Sequence, residues 1–132
     1  MVDDASLGGD ASDLGMAQFA GPGYRGCRLV GEIDFTSSGQ VQSMLTSMIL
    51  PGGGAVVADL TQVTFIDSSG LGALVQAHRV ALERETRLVV VASSPVLRLL
   101  RVTGLDTVLE TYDRLDAAEA AIAARAGDPR PG

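Results

Sequence analysis

The chain has 132 residues, of which 46% are hydrophobic, and carries a formal net charge of −6 at pH 7. These values suit one domain with a single hydrophobic core, and no run approaches the roughly 18 apolar residues that span a bilayer. The negative charge argues against direct binding of nucleic acid, since phosphate backbones attract basic surfaces. The single cysteine, Cys27, excludes an internal disulfide or a two-cysteine metal site. With no signal-peptide pattern, we expect a cytoplasmic protein without a membrane or metal role.

The first part of the chain predicts a tail, a hairpin and a helix. Residues 1–15 are acidic and rich in Gly, Ser and Ala, and we expect them to be disordered. Two strand-like segments, residues 16–20 and 24–33, flank a Gly-Pro-Gly turn. Thr36 or Ser37 can cap a first helix. Its apolar positions follow helical spacing: Val41, Met44, Leu45, Met48 and Ile49.

The second part of the chain alternates strands with helices. Residues 55–60 form an apolar run typical of a buried strand, and residues 87–92 predict a strand covered on both faces. The helix between them is predicted to bury one face, formed by Leu71, Leu74, Val75, His78 and Leu82. Ser94, followed by a proline, can cap a third helix. Its predicted inward residues are Val96, Leu99 and Leu100.

A short last strand at residues 108–112 precedes a final helix, and residues 126–132 read as a flexible tail. The final helix is marked by Leu115, Ala118 and Ile122. This order predicts an α/β domain over residues 16–125, with a mixed sheet of four to five strands and about four helices. An initial antiparallel hairpin should be followed by parallel strands.

The most informative turn follows the buried strand at residues 55–60 and reads Asp67-Ser68-Ser69-Gly70. Two hydroxyls stand where a helix begins, directly after a carboxylate. Such residues serve as helix N-caps. The same position also suits a phosphate, because free N–H groups and the positive end of the helix dipole face it. The turn by itself predicts either plain capping serines or a phosphorylation switch.

Several short motifs occur together with this turn and in a characteristic order. They are Gly-Glu-Ile-Asp at residues 31–34, Asp-Leu at 59–60, Phe-Ile-Asp-Ser-Ser-Gly-Leu-Gly at 65–72, Ser-Pro-Val at 94–96 and Thr-Gly-Leu at 103–105. With them the chain, from about residue 18 to 124, resembles the STAS domain of bacterial anti-sigma factor antagonists. The resemblance implies the STAS fold and phosphorylation of the serine after the aspartate, which is Ser68 here.

The resemblance also implies the partners. In that family the unphosphorylated antagonist binds an anti-sigma factor with serine kinase activity and so frees a sigma factor. Phosphorylation ends this binding, and a serine phosphatase restores it. The chain carries no ATP-binding motif of its own, so we expect no cofactor and an external kinase. We expect phosphorylation to switch a surface while the fold survives.

The predicted partner surface surrounds the turn and consists of Asp34, Asp67, Ser69, Gly70 and Leu71, beside Ser68. Three of these residues have alternative roles. Asp34 can cap its own turn instead of contacting a partner. Gly70 can keep bulk away from a partner or allow close packing of helix on sheet. Leu71 is directed inward by its periodicity, whereas a first-turn position leaves it partly exposed.

Two other functions, an enzyme and a structural subunit, make different demands on the sequence. An enzyme using Ser68 or Ser69 as its nucleophile needs a base, and the single histidine, His78, should lie about 14 Å further along the same helix at about 1.5 Å per residue. We therefore predict that the protein is not an enzyme. The alternative function is a STAS subunit of a stress-sensing scaffold or of a lipid-transport complex, which would not require this serine-bearing turn.

Overall fold

The computed structural model describes residues 14–126. The predicted tails at residues 1–15 and 126–132 lie outside the described residues except at their inner ends. There, Gly15 is the first residue of a strand and Ala126 is the last residue of a helix. The described secondary structure therefore runs from Gly15 to Ala126. The predicted domain limits, like the tails, stay predictions.

Five strands and four helices follow one another within residues 14–126. The strands are β1 (Gly15–Gly21), β2 (Tyr24–Ile33), β3 (Ala55–Ile66), β4 (Leu88–Ala92) and β5 (Glu110–Tyr112). The helices are α1 (Ser38–Met48), α2 (Ser68–Glu83), α3 (Ser94–Val102) and α4 (Leu115–Ala126). A 3-10 turn, Leu105–Thr107, precedes β5. None of these helices has the length and apolar character needed to cross a bilayer.

The sheet has the strand order β1-β2-β3-β4-β5. The first pair is antiparallel and the other three pairs are parallel. Each parallel pair is joined through a helix, as a parallel connection requires. This confirms the predicted mixed α/β sheet and its initial hairpin.

The two faces of the sheet are covered unequally. The three helices α1, α2 and α3 contribute to the larger buried cluster on one face, with side chains such as Leu45, Leu74 and Leu100 fully buried. On the other face α4 alone packs against the sheet, through Ala118 and Ile122. Because parallel strands point their carboxyl ends to one edge, the segments that follow β2 and β3 meet at that edge.

The third strand is longer than predicted. It runs on to Ile66, whereas the polar pair Thr61 and Gln62 favoured an end at Leu60. The pairing with β2 is irregular there, and the buried Asp59 carboxylate accepts both the Thr61 N–H, at 2.9 Å, and the Thr61 hydroxyl, at 2.7 Å. The Asp59 side chain thus supplies hydrogen bonds across the irregularity, and the strand continues to the turn at residues 67–70.

Two details of the helices differ from the prediction. The N-cap of α3 is Ser93, one residue before the predicted Ser94. The prediction of Leu82 on the buried face of α2 is wrong, since it is 60% exposed. The residues of α2 that are buried on the sheet side are largely small: Gly70, Ala73, Ala77 and Ala81. The buried stripe reaches Ala81 near the end of the helix, and Leu82 lies about 100° around the helix axis from it, on the solvent side.

Candidate functional site

The site lies where β2 and β3 end side by side. Ile33 and Ile66 are paired in the sheet, and the N–H of Asp67 donates to the carbonyl of Ile33 at 3.1 Å. Asp34 and Asp67 are the first residues after these two strands. The parallel pairing therefore brings together two carboxylates that are 33 positions apart in the sequence.

Asp67 caps α2 with its side chain. Its Oδ1 atom accepts the N–H of Ser69 at 2.9 Å, the N–H of Gly70 at 3.2 Å and the Ser69 hydroxyl at 2.5 Å. The Ser69 hydroxyl is the main reason that the pKa of Asp67 lies below its usual range, with the backbone N–H groups adding to it. The carboxylate is therefore ionised at neutral pH, and it stabilises the start of the helix.

Asp34 organises the neighbouring turn in a similar way. Its Oδ1 atom accepts the hydroxyl of Thr36 at 2.7 Å and the N–H of Thr36 at 2.9 Å, and these bonds hold the pKa of Asp34 below its usual range. Its carbonyl accepts the N–H of Ser37 and of Ser38. Of the two predicted roles, the turn-capping role is present, and partner contact stays a prediction.

The two serines of the turn differ in their surroundings. Ser69 is half-buried and its hydroxyl is held by Asp67. Ser68 is exposed, stands at the first position of α2, and its hydroxyl makes no hydrogen bond to any other residue within 14–126. An enzyme that modifies a hydroxyl must reach it from solvent, and of this pair only Ser68 offers that access.

The helix start has fewer open N–H groups than expected. The N–H groups of Ser69 and Gly70 donate to the side chain of Asp67, and that of Leu71 donates to its carbonyl at 3.0 Å. Of the N–H groups in the first turn, that of Ser68 alone has no hydrogen-bond acceptor among residues 14–126. The expected phosphate position at this helix start stays a prediction.

Two predicted partner residues are buried. A Cβ atom at Gly70 would lie 2.6 Å from Cγ1 of Ile66 and 2.7 Å from Cγ2 of Ile33. Of the two roles predicted for Gly70, close packing of helix on sheet is therefore the one that the structure contains. Leu71 is 8% exposed and belongs to the core. Its inward orientation agrees with its periodicity, and only its outer edge reaches the surface.

A shallow apolar groove begins at the turn. It has a volume of about 480 Å³ and runs along α2 from Ser68 past Leu71 and Val75 to Arg79, with Thr103 and Leu105 on its other side. The serine therefore stands at one end of a surface that a partner side chain can enter.

Sequence reasoning missed two exposed aromatic residues at this edge. Phe35, directly after Asp34, is 83% exposed, and Phe65, near the end of β3, is 49% exposed. Phe35 lies in a turn, and Phe65 lies in the part of β3 that was not predicted as strand, so neither was assigned to a buried or an exposed face. The sequence did show that each of them lies within two residues of an aspartate, Asp34 or Asp67, and this was the signal that could have marked them as surface candidates.

The single histidine lies far from the two serines along α2. His78 is the eleventh residue of α2, about 15 Å along the axis from Ser68 at about 1.5 Å per residue. Its Nδ1 atom is buried without a hydrogen-bond partner among residues 14–126. In that same stretch of chain, no group of three His, Cys, Asp or Glu residues is arranged to hold a metal ion.

Comparisons with known proteins agree with this geometry. The family model of the STAS domain matches residues 22–118. An anti-sigma-B factor antagonist of Listeria monocytogenes is 34% identical over 83 residues, which are 62% of this chain and 73% of that protein.

Two solved structures share the fold. The crystal structure of an anti-sigma factor antagonist from Mycobacterium paratuberculosis superposes with a TM-score of 0.77 at 28% identity, covering 84% of this chain and 95% of that one. The Bacillus cell fate determinant SpoIIAA in its phosphorylated form gives a TM-score of 0.61 at 20% identity, covering 81% and 99% of the two chains.

Proposed function

The chain belongs to the STAS domain family, and we propose that it is an anti-sigma factor antagonist whose partner binding is switched off by phosphorylation of Ser68. In this proposal the unphosphorylated protein binds an anti-sigma factor that is also a serine kinase, and a sigma factor is released. A serine phosphatase returns the protein to its binding form. Such an exchange takes place in the cytoplasm, and the protein acts in it by binding and not by catalysis.

The observation that carries the proposal is the contrast between the two adjacent serines. Ser69 is committed to Asp67 through a 2.5 Å hydrogen bond, whereas the Ser68 hydroxyl is exposed and without a partner among the described residues. A kinase can therefore modify Ser68 without breaking the cap of α2. The occurrence of SpoIIAA, which has the same fold, in a phosphorylated form supports a modification of this kind.

The effect of the phosphate follows from the charges around it. Phosphorylation adds about −1.5 to −2 charges at neutral pH. The new group would stand beside ionised Asp67, whose pKa is lowered mainly by the Ser69 hydroxyl, and the N–H groups of Ser69 and Gly70 are already occupied. An interface that had fitted a neutral hydroxyl would have to bury an unpaired dianion. A cost of about 3 to 5 kcal/mol would weaken a micromolar complex by two or more orders of magnitude, to a Kd near or above the millimolar range.

The same hydrogen bonds explain why the fold should survive. The cap of α2 depends on Asp67 and on the backbone, and the Ser68 side chain contributes nothing to it. The switch would therefore act by changing the surface. Far-ultraviolet circular dichroism of the phosphorylated protein should match that of the unmodified protein.

The experiment uses the full chain, together with Ser68→Ala and with Ser69→Ala as the matched control. Each is incubated with ATP and with every anti-sigma factor serine kinase encoded in the same genome. Intact-mass spectrometry with site mapping then detects the phosphate, and size-exclusion chromatography detects the complex. We expect the wild type and Ser69→Ala to gain one phosphate, on Ser68, and to lose the complex. Ser68→Ala should stay unmodified and bound.

A Ser68→Ala protein whose binding still switched off with kinase and ATP would contradict the proposal. So would an absence of any kinase interaction combined with stoichiometric co-purification with a transporter ATPase. The second result would leave the fold unchanged and assign the protein to the scaffold alternative.

A further inference from the structure

An exposed phenylalanine stands next to the switch. Phe35 is 83% exposed, more than any other large hydrophobic residue among those that the structure describes. A side chain that is almost fully in water contributes little to folding, because its surroundings are nearly the same in the folded and unfolded states. Exposed aromatic residues at the centre of a polar surface are typical anchors of protein–protein interfaces.

The turn that carries Phe35 is held in one conformation by its neighbours. Asp34 accepts two hydrogen bonds from Thr36 through its side chain, and its carbonyl accepts the N–H of Ser38 at 2.8 Å. Ser37 is 1% exposed, and its hydroxyl accepts the N–H of Asp34 at 3.0 Å. The backbone around Phe35 is thus ordered before any partner arrives, which reduces the entropy lost on binding.

The backbone at Phe35 is close to the proposed switch. The N–H of Asp67 donates at 3.1 Å to the carbonyl of Ile33, two residues before Phe35, and the backbone N–H of Phe35 is among the groups that, after the Ser69 hydroxyl, lower the pKa of Asp67. Asp67 immediately precedes Ser68. A single partner surface can therefore cover Phe35 and the position on which the phosphate would be placed.

The charges around Phe35 are of one sign. Asp34 and Asp67 flank it, and both carboxylates have lowered pKa values, caused chiefly by the hydroxyls of Thr36 and Ser69. Among the residues that the structure describes, no ion pair includes Asp34 or Asp67, and no basic side chain is among the causes of their lowered pKa values. The positive charge that would complement these carboxylates has to come from the partner.

From these observations we infer that Phe35 is the aromatic anchor by which this protein selects its anti-sigma factor. The partner surface that fits it is an apolar pocket bordered by arginine or lysine side chains facing Asp34 and Asp67. The inference rests on the proposed function and adds a residue that determines specificity. In such a complex, a phosphate on Ser68 would have to fit among the residues that shield the pocket from water.

The test compares affinities for the anti-sigma factor kinase that phosphorylates the wild-type protein. Isothermal titration calorimetry is performed with the wild type, Phe35→Ala, Phe35→Leu and Leu82→Ala, all unphosphorylated. Leu82 is the matched control, since it is also an exposed apolar residue, at 60%, and lies about 20 Å from Ser68 along α2. Thermal unfolding of each variant verifies that the fold is retained.

We expect Phe35→Ala to weaken binding by about tenfold or more. Phe35→Leu should lie between it and the wild type, and Leu82→Ala should bind like the wild type. Raising the salt concentration should weaken binding of the wild type and of Phe35→Ala by similar factors, because the carboxylates remain.

Equal affinities for the wild type and Phe35→Ala would overturn the inference and leave the proposed function standing. An affinity that did not change with salt concentration would contradict the proposed arginine or lysine side chains at the border of the pocket. If the wild type neither bound nor was phosphorylated by any anti-sigma factor kinase, the proposed function would fail and the inference with it.

Discussion

The Ser69 hydroxyl donates a 2.5 Å hydrogen bond to Oδ1 of Asp67, the residue that caps α2. This bond gives two adjacent serines different roles. Ser69 helps to hold the start of the helix, whereas Ser68 presents a hydroxyl to solvent. The difference is physical and can be measured in the protein alone, before any partner is known.

The first prediction concerns stability. Ser69→Ala removes a hydrogen bond to an ionised carboxylate and should lower the free energy of unfolding by about 1 to 2 kcal/mol. Ser68→Ala removes an exposed hydroxyl with no partner among residues 14–126 and should stay within about 0.5 kcal/mol of the wild type. Urea unfolding of the three proteins measures both effects. Equal destabilisation by the two substitutions would contradict the assignment of roles.

The second prediction concerns pH. The pKa of Asp67 is lowered in the folded protein, chiefly by the Ser69 hydroxyl, so its ionised form is favoured by folding. Its contribution to stability is fully present above its unfolded pKa of about 3.9 and is lost as the pH falls through the folded pKa. Asp67→Asn keeps a capping oxygen but has no charge. Urea unfolding of the wild type and of Asp67→Asn is measured between about pH 7 and pH 2. The difference between their free energies of unfolding should become smaller as the pH falls. A difference that stayed constant over this range would refute the prediction.

The third prediction uses two glycines of the same helix. Gly70→Ala would place a Cβ atom 2.6 Å from Ile66 and 2.7 Å from Ile33, within the buried core, and should cost about 1 to 3 kcal/mol. Gly72→Ala meets no atom within 4 Å and should stabilise the helix by about 0.5 to 1 kcal/mol. Thermal unfolding followed by circular dichroism distinguishes the two. A tolerated Gly70→Ala would show that the helix can move away from the sheet at no cost.

The fourth prediction concerns the C-terminal end of α2, far from Ser68. Glu85 has φ of 58°, the left-handed conformation that disfavours residues with a Cβ atom, and Thr86 donates its N–H back to Ala81 at 2.9 Å. Glu85→Gly should therefore raise the free energy of unfolding by about 1 kcal/mol. Glu83→Gly, at the last helical position, should lower it by a similar amount. Partner binding should be the same for both variants, and a stabilising effect at both positions would contradict the conformational argument.

Much of the fold could be predicted from the sequence because it depends on local periodicity. The apolar run Leu88 to Val91 predicted a fully buried strand, and the residues Leu88, Val89, Val90 and Val91 are at most 1% exposed. The spacing of Val41, Leu45 and Met48 likewise predicted the buried face of α1. Each of these patterns can be recognised within about ten neighbouring residues, over which the period of a strand or helix repeats.

The tertiary structure decided the features that depend on distant residues. The continuation of β3 to Ile66 requires pairing with β2, and the exposure of Leu82 follows from how closely α2 packs on the sheet. At the site, the sequence by itself determined that two serines follow an aspartate between a strand and a helix. Only the folded chain decided which serine stays free and where Phe35 stands, because the ends of β2 and β3 become neighbours only when the sheet forms.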